Sequence, residues 1–123
     1  YSSITLATRE IIAGANEIIG EVRDSKIGAP ATGADVNYIE SPFAHNSIVD
    51  FYDNIMSCKH ALYGGWNVLD QPTATSLLGV CLKVSNADMK AAAQNAKDKL
   101  DAALNKISNM KKPFVLFYTD LSA

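Results

Sequence analysis

Residues 46–65, NSIVDFYDNIMSCKHALYGG, decide the fold. Their apolar residues recur at steps of three and four, which is the spacing of one buried face of an α-helix. The paired glycines at the end of the stretch are typical of a helix terminus. The stretch therefore predicts a long amphipathic helix whose apolar face packs into a core. That face consists of Ile48, Phe51, Ile55, Cys58 and Leu62.

The opposite edge of this helix, called here the polar edge, carries short polar side chains and no Lys, Arg or Glu. A surface that only meets water usually carries such long charged side chains. Short amides, hydroxyls and carboxylates suit a buried polar network or a binding surface. A plain solvated or structural face is the alternative, and the pattern leaves both open. The polar edge consists of Asn46, Asp50, Asp53, Asn54 and Ser57.

The same periodicity predicts a first helix over residues 3–24, capped by Ser2 or Ser3. Gly28 and Pro30 follow soon after, so the helix is expected to end near Asp24.

Residues 25–45 then form an irregular connection that holds one helical turn around 34–38. A loop of this length is either functional or a crossover between helices. The next helix is expected to begin at Asn46 or Ser47, with Ser47 and Asp50 in the positions of a capping box.

Three further segments complete the chain. Residues 66–72 are predicted to form a loop with an apolar anchor, and residues 73–84 a short helix in which Gly79 lies close to another backbone. Ser85 and Asp88 resemble a capping box that opens a long helix over 87–110. Residues 114–120 are interpreted as helical, and a strand is the alternative, because they favour β-structure but have no partner strand.

The whole chain is therefore expected to be one all-α domain, residues 1–123, an antiparallel helical bundle of about four helices with a long loop between the first two. An apolar fraction of 48% in 123 residues can fill a single core. The net charge of −2 gives no reason to invoke nucleic acid. No apolar run approaches the roughly 20 residues that span a bilayer. The start at Tyr1, without Met, suggests a processed or cut product.

Catalytic and metal-binding motifs are absent from the sequence, which contains no HExxH, GxHxxE, GxSxG or glycine-rich phosphate loop. Two cysteines, Cys58 and Cys81, do not make a zinc site, and either buried thiols or a disulfide fits them. Two histidines, His45 and His60, are ligand candidates, but each lacks the convergent partners that a metal site needs. No catalytic residue and no metal ligand can be named.

Three runs together resemble the C-terminal half of imelysin-like proteins. They are Lys26-Ile-Gly-Ala-Pro30, the segment 39–57 (IESPFAHNSIVDFYDNIMS), and Leu62-Tyr-Gly64. The family pattern has a K-[IM]-G-x-P loop, then E-S-x-[FY]-S-x-N-S-[ILV]-x-D-[FL], then a helix with N-[IL]-x-S. The chain departs from this pattern at Ala44, where the family often has Ser, and at His60, where Asn is common.

The resemblance implies a bacterial cell-envelope protein, periplasmic or lipid-anchored, that is linked to iron or haem uptake. It implies two related helical halves with a site between them, the N-terminal half carrying a GxHxxE motif that this chain lacks. No cofactor is then expected in this chain, whereas iron, haem or zinc is expected in the complete protein. The partner is the N-terminal half. This chain's contribution to the cleft would be Lys26, Glu40, Ser41, Asn46, Ser47, Asp50 and Asn54.

Three functions follow as alternatives. The first is an envelope protein that binds a ligand for iron or haem uptake at the junction with its N-terminal half. The second is a metallopeptidase whose metal motif lies in that half, because the family was first described as metallopeptidases. The third is a helical interaction module without a ligand.

Overall fold

Helix α3 (Ser47–Tyr63) is the centre of a computed structural model that describes residues 3–67 and 70–120. Its predicted apolar face is buried: Phe51 and Tyr63 are fully excluded from solvent, and Ile55 is almost so. Helices α1 (Ile4–Glu21) and α5 (Ala87–Ser108) both pack against it. Gly64 ends α3 in the left-handed conformation, as the sequence predicts.

The first helix does not end near Asp24, and this prediction was wrong. After α1 the chain continues as a π-helix (Val22–Gly28) and then as the short helix α2 (Ala29–Ala31). Pro30 lacks an N–H, and inside an α-helix its ring would clash with the carbonyl four residues earlier. The wider π-turn just before Pro30 relieves that conflict without ending the helix. The irregular connection therefore begins at residue 32, not at 25.

Gly28 is required by this π-helix. A Cβ atom at Gly28 would lie 2.6 Å from the carbonyl oxygen of Arg23, which is closer than two such atoms can approach. The connection that follows contains one 3-10 turn (Val36–Tyr38), close to the predicted helical turn at 34–38. The carboxylate of Asp35 caps it by accepting a hydrogen bond from the backbone N–H of Asn37. Ile39 then anchors the connection in the core.

Helix α4 (Leu77–Cys81) is shorter than the predicted helix over 73–84. Thr73 and Ser76 form a tight turn instead, and the hydroxyl of Ser76 caps α4 by accepting from the N–H of Gly79. The predicted close backbone approach at Gly79 is confirmed, because a Cβ atom there would lie 1.8 Å from the carbonyl oxygen of Thr73. In the predicted loop at 66–72, Trp66 is 78% exposed and is not an anchor, and residues 68 and 69 lie outside the described part.

Asn86 caps α5 by accepting from the N–H of Met89, so the capping box predicted at Ser85 and Asp88 is wrong by one position. After α5, helix α6 (Phe114–Phe117) confirms the helical interpretation of this segment. Its Phe114 meets the ring of Phe51 edge to face, with the ring centroids 5.0 Å apart. Within residues 3–67 and 70–120 there is no strand, and the predicted all-α helical bundle is confirmed.

Both cysteines are free thiols, Cys58 buried and Cys81 partly exposed. Among the described helices, none combines the length and apolar character needed to cross a membrane.

The first prediction compares two helical glycines. Gly79→Ala is expected to lower the free energy of unfolding by about 2 kcal/mol, because the new methyl group overlaps the Thr73 carbonyl. Gly20→Ala, which meets no atom within 4 Å, is expected to raise it by about 0.5–1 kcal/mol through helix propensity. Urea denaturation of the two variants measures both. Equal effects at the two positions would contradict the close approach at Gly79.

The second prediction concerns the ion pair between α3 and α5. Lys59, only 6% exposed, places its Nζ 2.7 Å from Oδ1 of Asp101. Asp101→Ala is expected to destabilise the fold by about 2 kcal/mol, because it leaves a buried ammonium group without its carboxylate. Asp98→Ala is the matched control on the same helix, since Asp98 is exposed and accepts a surface hydrogen bond from Gln94, and it should change stability by less than about 0.5 kcal/mol.

The same pair gives an acid dependence. Burial raises the pKa of Asp101, but the hydrogen bond and charge of Lys59, with Lys97, outweigh burial and leave that pKa below its ordinary value of 3.8. Because this pKa is lower in the folded than in the unfolded state, the ionised carboxylate of Asp101 stabilises the fold above pH 3.8. That stabilisation is lost as the pH falls through the folded-state pKa. The free energy of unfolding, measured by urea denaturation at several pH values between 2 and 5, should therefore fall more steeply with decreasing pH for the unmutated chain than for Asp101→Ala. If the free energies of unfolding of the two proteins fell in parallel with decreasing pH, Asp101 would be excluded as the source of the acid dependence.

Candidate functional site

Five of the seven predicted site residues lie together where the connection meets the start of α3. They form what we call the polar cluster, a chain of ion-pair and hydrogen-bond contacts between the π-helix, the connection and α3. Each of the three segments contributes at least one member. The polar cluster consists of Lys26, Glu40, Ser41, Ser47 and Asp50.

The π-helix places Lys26 against the connection. Its Nζ lies 3.0 Å from Oε2 of Glu40 and 4.0 Å from Oε1 of Glu21. The Lys26 side chain is only 17% exposed, so its charge is partly removed from water and depends on these carboxylates. Oε2 of Glu40 is buried and accepts no hydrogen bond of good geometry within the described residues, which leaves Lys26 as its compensating charge.

Ser41 and Ser47 join the connection to α3. The hydroxyl of Ser41 donates to Oδ2 of Asp50 at 2.6 Å, and the hydroxyl of Ser47 donates to the carbonyl oxygen of Glu40. The predicted capping box at Ser47 and Asp50 is therefore wrong. Ser47 is the first residue of α3, Asn46 is its N-cap without a side-chain cap bond, and Asp50 holds the connection instead. The Asp50 carboxylate still lies in the first turn, where the helix dipole favours negative charge.

The backbone around the polar cluster is strained at two positions. Ser41 has a φ angle of 50° and His45 one of 55°, both in the left-handed region that residues with a Cβ atom rarely adopt. Such a conformation costs of order 1–3 kcal/mol and persists only where the surroundings enforce it. At Ser41 these enforcing contacts can be named. Its hydroxyl is held by Asp50, and the neighbouring residue Glu40 is held by Ser47 and Lys26.

The remaining residues of the polar edge do not join the polar cluster through their side chains. Asn46 contributes its backbone, donating to the carbonyl of Ser41 at 3.5 Å. Asn54 is half-buried one turn beyond Asp50, and its carbonyl accepts from the hydroxyl of Ser57. Asp53 and Ser57 are exposed. Within the polar edge, Asp50 thus belongs to a partly buried network, whereas Asn46, Asp53 and Ser57 are exposed.

The residues available here do not make a metal site by themselves. Within residues 3–67 and 70–120, no three His, Cys, Asp or Glu side chains are grouped so that they could hold a metal ion. His45 is exposed and makes no contact with the polar cluster, whereas His60 is half-buried with Nε2 lacking a hydrogen-bond partner in the described part of the chain. What the arrangement offers a ligand is one cation, two carboxylates and a set of hydroxyl groups.

A second buried polar group was missed from the sequence. Lys59 lies on the buried side of α3, its ammonium 4.9 Å from the ring centre of Tyr63 and bonded to Asp101. Burial, together with the charges of Asp101 and Asp98, raises the pKa of Tyr63 to about 12. The available signal was the position of Lys59, four residues from Ile55 and from Tyr63, which puts a charge on an apolar face. This group stabilises the bundle and is separate from the polar cluster.

The third prediction compares the two carboxylates near Lys26. Glu40→Gln is expected to lower the free energy of unfolding by about 1 kcal/mol, because it removes the charge nearest to a mostly buried ammonium group. Glu21→Gln, which removes a carboxylate 4.0 Å away on the exposed side, is the control and should cost less than about 0.5 kcal/mol. Chemical denaturation measures both. A larger loss for Glu21→Gln would show that Glu40 is not the main partner.

The comparisons with known proteins agree with the resemblance found in the sequence. A family model described as Imelysin matches residues 2–120. No curated protein and no solved structure gave a significant match. The matched region contains all five residues of the polar cluster and nearly the whole chain, and the protein therefore belongs to the imelysin family.

Proposed function

We propose that this chain is part of a ligand-binding protein of the bacterial cell envelope that serves iron or haem uptake. In this proposal the polar cluster forms one wall of a cleft, and an N-terminal imelysin-like half that carries the GxHxxE motif forms the other. The complete protein then lies in the periplasm or is anchored to the envelope by a lipid. Family membership supports the general assignment.

One observation carries the proposal. Ser41, in a left-handed conformation, is fixed by Asp50 beside the ion pair between the mostly buried Lys26 and the partly exposed Glu40. A loop that only crossed between helices would need neither the strained residue nor the buried charge. Strain and partly desolvated charges cluster at binding sites, where they hold polar groups ready for a ligand.

The chain's own residues fit a supporting role and not that of primary metal ligands. Both carboxylates of the polar cluster already have partners, Glu40 with Lys26 and Asp50 with Ser41. Their role in the proposal is to orient the ammonium group of Lys26 and the hydroxyl of Ser41. The positive charge of Lys26 is the group that would balance a negative ligand group, such as a carboxylate of haem. Metal-ligating groups would come from the other half.

The fourth prediction tests this division of labour. The isolated chain should bind neither haemin nor Fe(III) tightly and stoichiometrically, whereas its complex with a polypeptide carrying a GxHxxE helix should bind one of them. In that complex Asp50→Ala should weaken binding about tenfold, because Ser41 loses the acceptor that fixes it. Absorbance titration for haemin and calorimetry for Fe(III) are the measurements.

Asp53→Ala is the matched control, since Asp53 is exposed on the same helix and, within the described part of the chain, no hydrogen bond or ion pair joins it to the polar cluster. It should leave the affinity of the complex unchanged. Tight stoichiometric binding by the isolated chain, or equal effects of the two substitutions, would refute the proposal. Cleavage of peptides by the complex that is abolished by a chelator and by Asp50→Ala would instead establish the metallopeptidase function.

A further inference from the structure

A second feature of the bundle is a cavity of about 500 Å³ between α1, α3, α4 and α5. No member of the polar cluster lines it. Its walls are aliphatic and come from all four helices, with Ile19 from α1, Ile55 and Leu62 from α3, Leu78 from α4 and Leu100 from α5. Its volume falls in the range of about 300–1,000 Å³ that is usual for small-molecule sites.

The space exists because α5 presents small side chains to it. Ala92, Ala93, Ala96 and Ala103 all line the cavity, and a larger residue at any of them would project into it. The cavity is open to solvent on one side, where Ala92 is exposed, while Ala93 is buried at its floor. A ligand could therefore enter without unfolding of the bundle.

Polar groups are few among the residues that line the cavity. They are the amides of Asn16 and Asn95 and the ammonium group of Lys99, and no carboxylate is among them. Within residues 3–67 and 70–120, Lys99 has no ion-pair partner, whereas Lys97 on the same helix lies 3.5 Å from Asp101. The only charge on the lining is therefore a cation, and it complements an anionic head group.

We propose that this cavity binds an amphipathic monoanion, a carboxylate on an aliphatic chain. The chain lies among the aliphatic walls, and the carboxylate lies at Lys99 with the two amides as further donors. Four helices line a space of small-molecule size that is open on one side, which favours such a ligand over a docked helix from a second copy. This site shares no residue with the polar cluster, so the proposal made for it is tested independently of the proposed function.

Cys81 supplies a reporter inside this site. It lines the cavity and is partly exposed, so a thiol reagent reaches it through the opening. Cys58 is 2% exposed, its thiol donates to the carbonyl of Ala15, and burial raises its pKa, so it reacts far more slowly. The fast phase of alkylation by N-ethylmaleimide therefore measures access to the cavity.

The fifth prediction uses this phase with dodecanoate as the probe, below its micelle-forming concentration. Saturating dodecanoate should slow alkylation of Cys81 about fivefold, because the bound chain covers the thiol. Dodecanol has the same chain without the charge. The concentration of dodecanol that gives half-maximal protection of Cys81 from alkylation should be about threefold higher than that of dodecanoate. Lys99→Gln should remove this difference by weakening dodecanoate alone.

Two substitutions on α5 test the position of the ligand. Ala96→Phe fills the cavity and should abolish protection, whereas Ala91→Phe, exposed and outside the lining, should retain it. Circular dichroism checks that both variants fold, and Ala92→Leu at the opening replaces Ala96→Phe if that variant does not. No protection, protection that persists in the filled variant, or equal affinity for acid and alcohol would each overturn the proposal. So would protection that rises with protein concentration in the absence of dodecanoate, which would indicate a second copy in the groove.

Discussion

Burial of one face of α3 is the constraint on which the rest of the structure depends. Phe51 and Tyr63 are fully excluded from solvent, and every other long helix packs against α3. Burying an aromatic side chain of this kind contributes about 1.5–3 kcal/mol. Because α3 is fixed from two sides, its N-terminal end becomes a rigid platform for the polar cluster. The C-terminal half of the same helix supplies Ile55 and Leu62 to the cavity wall.

The π-helix is the second constraint, and it connects the sequence directly to the site. Without it, Pro30 would end or kink the first helix within the turn that contains Lys26. With the π-helix, the helix continues to residue 31 and positions Lys26 beside Glu40, with which it forms an ion pair. The Lys-Ile-Gly-Ala-Pro run thus has a physical meaning. Gly28 permits the wide turn, Pro30 requires it, and Lys26 is the group that it positions.

The sequence was sufficient to predict the bundle and the bounds of α3. The family resemblance named seven cleft residues, of which the structure brings five together, and their role in a site stays a prediction. Periodicity fixes which face of a helix is apolar, but not which turns of that face are covered. The continuous helix over residues 4–31 is about 40 Å long, whereas α3, against which it packs, is about 26 Å long. The first turns of α1 therefore extend beyond the end of α3. Ile4 is accordingly 87% exposed, although apolar residues at steps of three and four connect it to the buried Val22 on one face of the helix.

Three of the departures share one physical cause, which is that local signals compete with tertiary contacts. Gly28 and Pro30 are helix breakers by propensity, yet here the helix continues to residue 31 through a π-helix, and both α1 and the π-helix pack against α3. Ser47 and Asp50 have the spacing of a capping box, yet both turn to the connection, whose backbone needs partners where it is buried. Lys59 was overlooked because its partner, Asp101, is 42 residues away on another helix. Each of these departures lies where two segments distant in sequence meet, and two of the three build the polar cluster. The strained backbone of Ser41 lies at the same junction, where its hydroxyl is bound to Asp50 of α3 and its neighbour Glu40 pairs with Lys26 of the π-helix.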